Sequence, residues 1–274
     1  MPQMSLGMTG LTTTASVFWL TAAGAVGLLI GSFLNVVIYR GPRLWGLVDG
    51  DPRGNLAAPS SYCPACRQRI PWTGLVPILS YIAQRGRCRA CSAKIALRYP
   101  VVEALGGAVA LASVAAFGAG WSALGAAAFG WALLALAFID LETGYLPDAI
   151  TLPLIGAGVL SGAFHLIVPF KDCLIGAVAG YLAFRLVGAA YHTFRGRDGL
   201  GQGDAKLLAA IGAWGGWMIL PAVVLTGALI TLAAIGASAA RGGKATMDQP
   251  IAFGPGLCAA GFFCVIGGRF FNVL

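Results

Sequence analysis

Ten acidic side chains are spread over a chain of 274 residues, and two of them stand where apolar runs meet polar loops. Asp140 closes the run Trp121–Ile139 and opens the segment Asp140-Leu-Glu-Thr-Gly-Tyr-Leu-Pro-Asp148. Asp204 stands in Gly201-Gln-Gly-Asp204, followed by Ala205, Lys206 and a further apolar run. Two carboxylates held a few ångströms apart share a proton, because each charge raises the other's pKa. One can then act as general base on a water while the other polarises a carbonyl. The same pair could instead carry protons through a transporter, since ionisable groups at membrane depth are costly and mark functional sites. Asp148 and Asp204 each precede a helix, where capping exposed amides is the simpler task for an acid. Asp140 has no such role, because the end of a helix disfavours an anion. Gly201 and Gly203 would let a peptide backbone approach Asp204 closely. Spacing alone leaves the aspartyl protease and the proton-coupled transporter both open.

Four of the seven cysteines form Cys63-Pro-Ala-Cys66 and Cys88-Arg-Ala-Cys91, with twenty-one residues between the pairs. Each knuckle offers two sulfurs, and four thiolates suit one tetrahedral zinc. Such a site has no open position, so the zinc would be structural. Free thiols or a redox pair are the competing reading. Cys173, Cys258 and Cys264 lie scattered among apolar residues and are expected to pack. Lys206, two residues after Asp204, either holds that loop or snorkels toward the membrane surface.

The elements that position these groups follow from composition. Hydrophobic residues make up 58% of the chain and charged residues 10%, with 40 glycines besides. A soluble domain cannot hide so much apolar surface, and disorder is excluded by the same numbers. The expected fold is an all-α, polytopic membrane helical bundle of about eight transmembrane helices with a small cytoplasmic zinc-binding loop domain. The apolar runs are Ala15–Ile38, Val101–Phe117, Trp121–Ile139, Ile150–Val168, Leu174–Tyr191, Leu207–Leu220, Pro221–Ala239 and Phe253–Phe271. Leu207–Leu220 is the weakest, since fourteen residues reach only about 21 Å. Three segments result: a first transmembrane helix (1–38), a loop domain (39–99) and a membrane-embedded catalytic domain (100–274).

The net charge of +8 bears on partners. Most of the basic residues lie in Tyr39–Tyr99, and Arg195, Arg197, Arg241 and Lys244 fall in loops that eight spans place on the same side. The positive-inside rule puts that side in the cytoplasm. Orientation and attraction to membrane lipid account for this charge. Nucleic acid is not an expected partner, because no aromatic stripe accompanies the arginines as a stacking platform.

Several motifs coincide in order along the chain. Gly201-Gln-Gly-Asp204 with Ala205-Lys206, Asp140 with Leu146-Pro147-Asp148, and Gly31-Ser-Phe-Leu-Asn-Val-Val-Ile-Tyr-Arg40 form one series. The two cysteine knuckles, Arg98-Tyr-Pro-Val-Val-Glu103 and Phe253-Gly-Pro255 complete it. The series resembles the membrane aspartyl proteases that process prepilins, in their bifunctional, N-methylating form. The resemblance implies a multi-pass protein of the bacterial inner membrane, working at its cytoplasmic face on type IV prepilins and type II secretion pseudopilins. It implies cleavage of a positively charged leader after a glycine, then methylation of the new N-terminal residue with S-adenosylmethionine. Asp140 and Asp204 would be the catalytic pair, with Gly201, Gly203 and Lys206 supporting the second loop. Asp148 aligns with a position the wider family can fill with asparagine, which implies a structural role. Glu103 is a candidate for substrate or methyl-transfer contacts, or for capping and charge pairing.

Overall fold

A computed structural model describes residues 6–50, 54–196, 201–241 and 252–270; Arg197 and Lys244 lie outside the described residues. Among these the chain is helical, and β pairing is confined to two isolated antiparallel bridges, Tyr62 with Arg69 and Arg87 with Lys94. In order come α1 (Leu6–Leu44), a 3₁₀ turn (Trp72–Gly74), α2 (Leu79–Ala83), α3 (Arg98–Phe117), α4 (Trp121–Thr143) and α5 (Asp148–Ala163). Then follow α6 (Phe170–Arg195), α7 (Gln202–Gly215), α8 (Leu220–Ala240) and α9 (Gly254–Phe270). A helix occupies each of the eight apolar runs. Five segments are long and apolar enough to cross a membrane: Ser16–Leu44, Arg98–Phe117, Trp121–Thr143, Phe170–Phe194 and Leu220–Ala240.

Three boundaries depart from the sequence reading, each for a local reason. The first helix does not stop at Ile38 but continues to Leu44, so Arg40 and Arg43 belong to it. Arg40 is buried, and the Arg43 guanidinium stacks over the Tyr39 ring at 4.4 Å. The fourth run ends at Ala163 rather than Val168, because Phe164 caps the helix and His165 turns with φ +50° ahead of Pro169. The weak sixth run begins at Gln202 and ends at Gly215, where Gly216 turns the chain at φ +77°.

By internal packing the chain divides into two compact units, residues 1–36 with 53–127, and 37–52 with 128–274. In the first unit, α1 and α3 approach backbone to backbone. A side chain at Gly27 would meet the Gly106 carbonyl at 2.5 Å, and one at Gly106 would meet the Gly27 carbonyl at 2.6 Å. Small residues at such contacts substitute dispersion for a hydrophobic drive that lipid does not supply.

The second unit is built around α7. Every residue from Ala205 to Gly215 except Lys206 is buried, with α5, α6 and α9 packed against the helix. Its brevity is thus matched by its position, since it is covered by protein. The Trp214 indole donates to the Leu154 carbonyl at 2.9 Å and stacks on Phe129 with centroids 5.3 Å apart. Against α6 the contact is between backbones: any Cβ on Gly176 or Gly212 would collide with the carbonyl of the other. Gly176→Leu should therefore destabilise the protein by about 3 kcal/mol or more, since no rotamer relieves a main-chain clash. Thermal unfolding in detergent measures this, and an unchanged midpoint would contradict the contact.

Candidate functional site

Both sequence-selected aspartates belong to the second unit. Asp140 lies in the last turn of α4, which runs on to Thr143 and closes with the Thr143 hydroxyl donating to the Ile139 carbonyl at 2.8 Å. The carboxylate is buried and accepts a hydrogen bond from the Gly254 amide, at the first residue of α9. A Cβ on Gly254 would lie 2.5 Å from Asp140 Oδ2, so only glycine lets that amide reach the acid. Here the sequence held a signal that was read only as a motif: Gly254-Pro255 opens a helix, and an open helix start presents free amides to an anion.

Asp204 sits in the first turn of α7, whose cap is Gly201. It is not a capping residue, for no side chain closes that helix start, and the same holds for Asp148 on α5, capped by Pro147. A side chain at Gly201 would come within 3.3 Å of Asp204 Oδ2, and one at Gly203 within 2.9 Å of Leu146 Cβ. The two glycines thus keep space around the acid and let the α4–α5 connection lie against the start of α7. Burial, and then the Asp140 charge, push the Asp204 carboxyl up to about 6. The Asp140 charge thus reaches Asp204, the influence expected where two carboxyls neighbour each other.

Lys206 grips Asp148, with Nζ 2.6 and 2.7 Å from the two carboxylate oxygens. The contact ties the start of α7 to the start of α5. Of the three cysteines expected to pack, Cys173 and Cys258 are buried and Cys264 is half-buried.

The first unit holds the cysteine cluster. Each knuckle is a tight turn: the Cys63 amide donates to Gln68 and that of Arg67 to Cys63, and the same pattern joins Cys88, Ala93 and Ser92. The residue after each second cysteine turns with positive φ, +63° at Arg67 and +57° at Ser92. The turns bring all four sulfurs within 4.8 Å of one another. Cys63 and Cys91 are 3.9 Å apart, Cys66 and Cys88 4.0 Å. A tetrahedron with bonds of about 2.3 Å separates its sulfurs by about 3.8 Å, so the four thiols fit zinc. Amides of Cys91 and Ala90 bond to Cys88 and lower its thiol to about 6, giving one thiolate ready for a metal. The Ala93 amide favours the Cys91 thiolate, yet burial and its sulfur neighbours outweigh it and push that thiol up to about 11. A cation among the sulfurs would reverse that balance.

Glu103 also lies in the first unit. It is buried on α3, and its Oε2 accepts the Ile78 amide at 2.7 Å.

Two family models match this chain, one after the other. Residues 25–117 match the bacterial peptidase A24 N-terminal domain, and residues 127–236 match the type IV leader peptidase family. A prepilin leader peptidase/N-methyltransferase of Burkholderia pseudomallei (strain 1026b) is 42% identical over 271 residues, covering 93% of this chain and 87% of the relative. Proteins of the same name from Dickeya chrysanthemi and Pseudomonas putida are 43% and 42% identical, covering 89% and 92% of this chain and 90% and 91% of theirs. No solved structure gives a significant match. With aspartates in both loops and relatives aligned over nearly the whole chain, the protein belongs to the type IV leader peptidase family.

Proposed function

We propose that the chain is a bifunctional membrane enzyme: it removes the leader of type IV prepilins and pseudopilins by an aspartyl mechanism and N-methylates the residue exposed. The observation that carries the peptidase half is the pairing of half-buried Asp204 with buried Asp140, whose charge acts on it. Shared between them, one proton leaves an ionised carboxylate to take a proton from water and a neutral one to donate toward the scissile carbonyl. The Gly254 amide fixes the orientation of Asp140 while this occurs. Lys206 and Asp148 hold the start of α7, which carries Asp204, against the start of α5.

The family match favours this reading over the proton-coupled transporter. S-adenosylmethionine would supply the methyl group, as the relatives' name as methyltransferases suggests. A structural zinc, one per chain, is assigned to Cys63, Cys66, Cys88 and Cys91, whose sulfur spacing fits it. The basic loops support an orientation in the bacterial inner membrane with the aspartates and the cysteine loop at the cytoplasmic face.

The test is incubation of the reconstituted protein with a prepilin peptide and labelled S-adenosylmethionine, scoring the two products separately. Cleavage without the methyl donor, and label on the new N-terminus only with it, is the expected result. Failure to cleave prepilin would overturn the peptidase reading, and cleavage without labelling would remove the methyltransferase half.

A further inference from the structure

The loop between α1 and α3 carries an unusual surface for a cysteine-stapled domain. Over residues 72–82, Trp72 is 78% exposed, Leu79 66% and Ile82 64%, with Leu75 and Val76 also open. Lone exposed apolar residues are ordinary, whereas a run of five large ones marks a contact surface. What meets it follows from where its backbone is anchored. Ile78, in the middle of the run, gives its amide to Glu103, the sixth residue of α3. That helix is long and apolar enough to cross a membrane, and Glu103 lies five residues beyond its first, about 7.5 Å along its axis. The apolar run is therefore held level with the second turn of a spanning helix. At that level the surroundings of an exposed side chain are headgroups and the first methylenes of lipid.

The backbone is strained to hold this position. Ile78 has φ +59° and ψ −50°, and the Leu79 amide bonds back to the Pro77 carbonyl at 2.5 Å, which makes a γ-turn centred on a β-branched residue. Strain of this kind persists only where surrounding contacts over-determine it, and the Glu103 carboxylate is such a contact. From Leu97, the cap of α3, exposed apolar side chains continue along the helix at Val101 and Leu105. Exposed Arg85, Arg87 and Arg89 follow directly after α2, and guanidinium groups beside an apolar face suit lipid phosphates.

We propose that residues 72–82 form an interfacial anchor that sinks into the lipid of the same membrane the helices span, pinned at its centre by Glu103. The proposal rests on the geometry of the first unit alone and holds whichever reaction the aspartates perform.

Brominated lipids provide the test. The full-length protein and its Trp72→Phe variant are reconstituted in vesicles with bromine at shallow or deep acyl positions, and the difference between their emissions isolates Trp72. Shallow bromines should quench that difference at least two-fold and deep bromines less, with little quenching by aqueous iodide. A Leu79→Asp/Ile82→Asp variant of the Trp72-containing protein should lose most of the lipid quenching while keeping its metal content, since both positions are exposed. A Trp72 signal open to iodide and blind to brominated lipid would overturn the anchor. So would a signal that lipid does not reach and that added prepilin peptide shields, which would make the run a peptide-binding face.

Discussion

Asp204→Asn will lower kcat/KM for leader cleavage by about three orders of magnitude or more, and Asp140→Asn will do the same. Asparagine keeps the size of each side chain, so the helices and the Gly254 contact have no steric reason to move. What it removes is the ability to hold or release a proton. In the proposed mechanism the two acids act as one unit, so the double variant should be scarcely worse than either single one. Cleavage of a prepilin peptide, measured on protein whose thermal midpoint in detergent matches the parent, provides the readout. Either variant cleaving at the parental rate would exclude the pair as the catalytic centre. By contrast, Asp148→Asn should keep most of the activity, for its carboxylate faces Lys206 on an exposed edge, where an ion pair contributes about 1 kcal/mol or less.

Loss of the metal is the second large effect. Replacing Cys63 and Cys88 by serine takes one sulfur from each knuckle and should abolish binding of the one zinc expected per chain. Structural zinc binds to comparable four-ligand peptides with about 10–16 kcal/mol, far more than the turns of this loop can supply. The described bridges at Tyr62–Arg69 and Arg87–Lys94 should then open, seen as rapid proteolysis within residues 60–96. Metal analysis of the purified variant is the direct check, and metal content equal to the parent would refute the site. The dyad lies in the other unit and uses no metal ligand, so brief chelation should spare the peptidase chemistry itself.

Much of this was legible because the signals are chemical and sparse. In a chain with ten acids, one at the end of an apolar run is conspicuous, and two CxxC pairs have few other uses. The helix count was legible for the same reason, since twenty apolar residues in a row leave little choice. Ends were harder. Arg40 and Arg43 looked like loop residues because they are charged, yet helical backbone satisfies itself and long basic side chains can be buried or stacked. The task of α7 was also hidden: hydropathy reports how apolar a run is and does not say whether lipid or protein surrounds it. Pairings across long separations, Gly254 to Asp140 and Ile78 to Glu103, depend on packing that no local pattern encodes.

The glycine contacts between α6 and α7 bear on how the site can move. Gly176 meets Gly212 and, one turn on, Gly180 meets the Leu208 carbonyl, so the two antiparallel backbones mesh at two points a helical turn apart. A helix seated this way cannot slide or roll by a residue without driving carbonyls into α-carbons. Asp204, two turns earlier on the same rigid rod, keeps its place while substrates come and go. Among the described residues, the connection between Thr143 and Asp148 lies against the start of this rod, at Gly203, and is not locked by such a ladder. On the proposed function, a rigid seat for Asp204 and a separate loop beside it divide precision from adaptability, and substitutions that slow peptide entry should fall between Thr143 and Asp148, away from the glycine ladder.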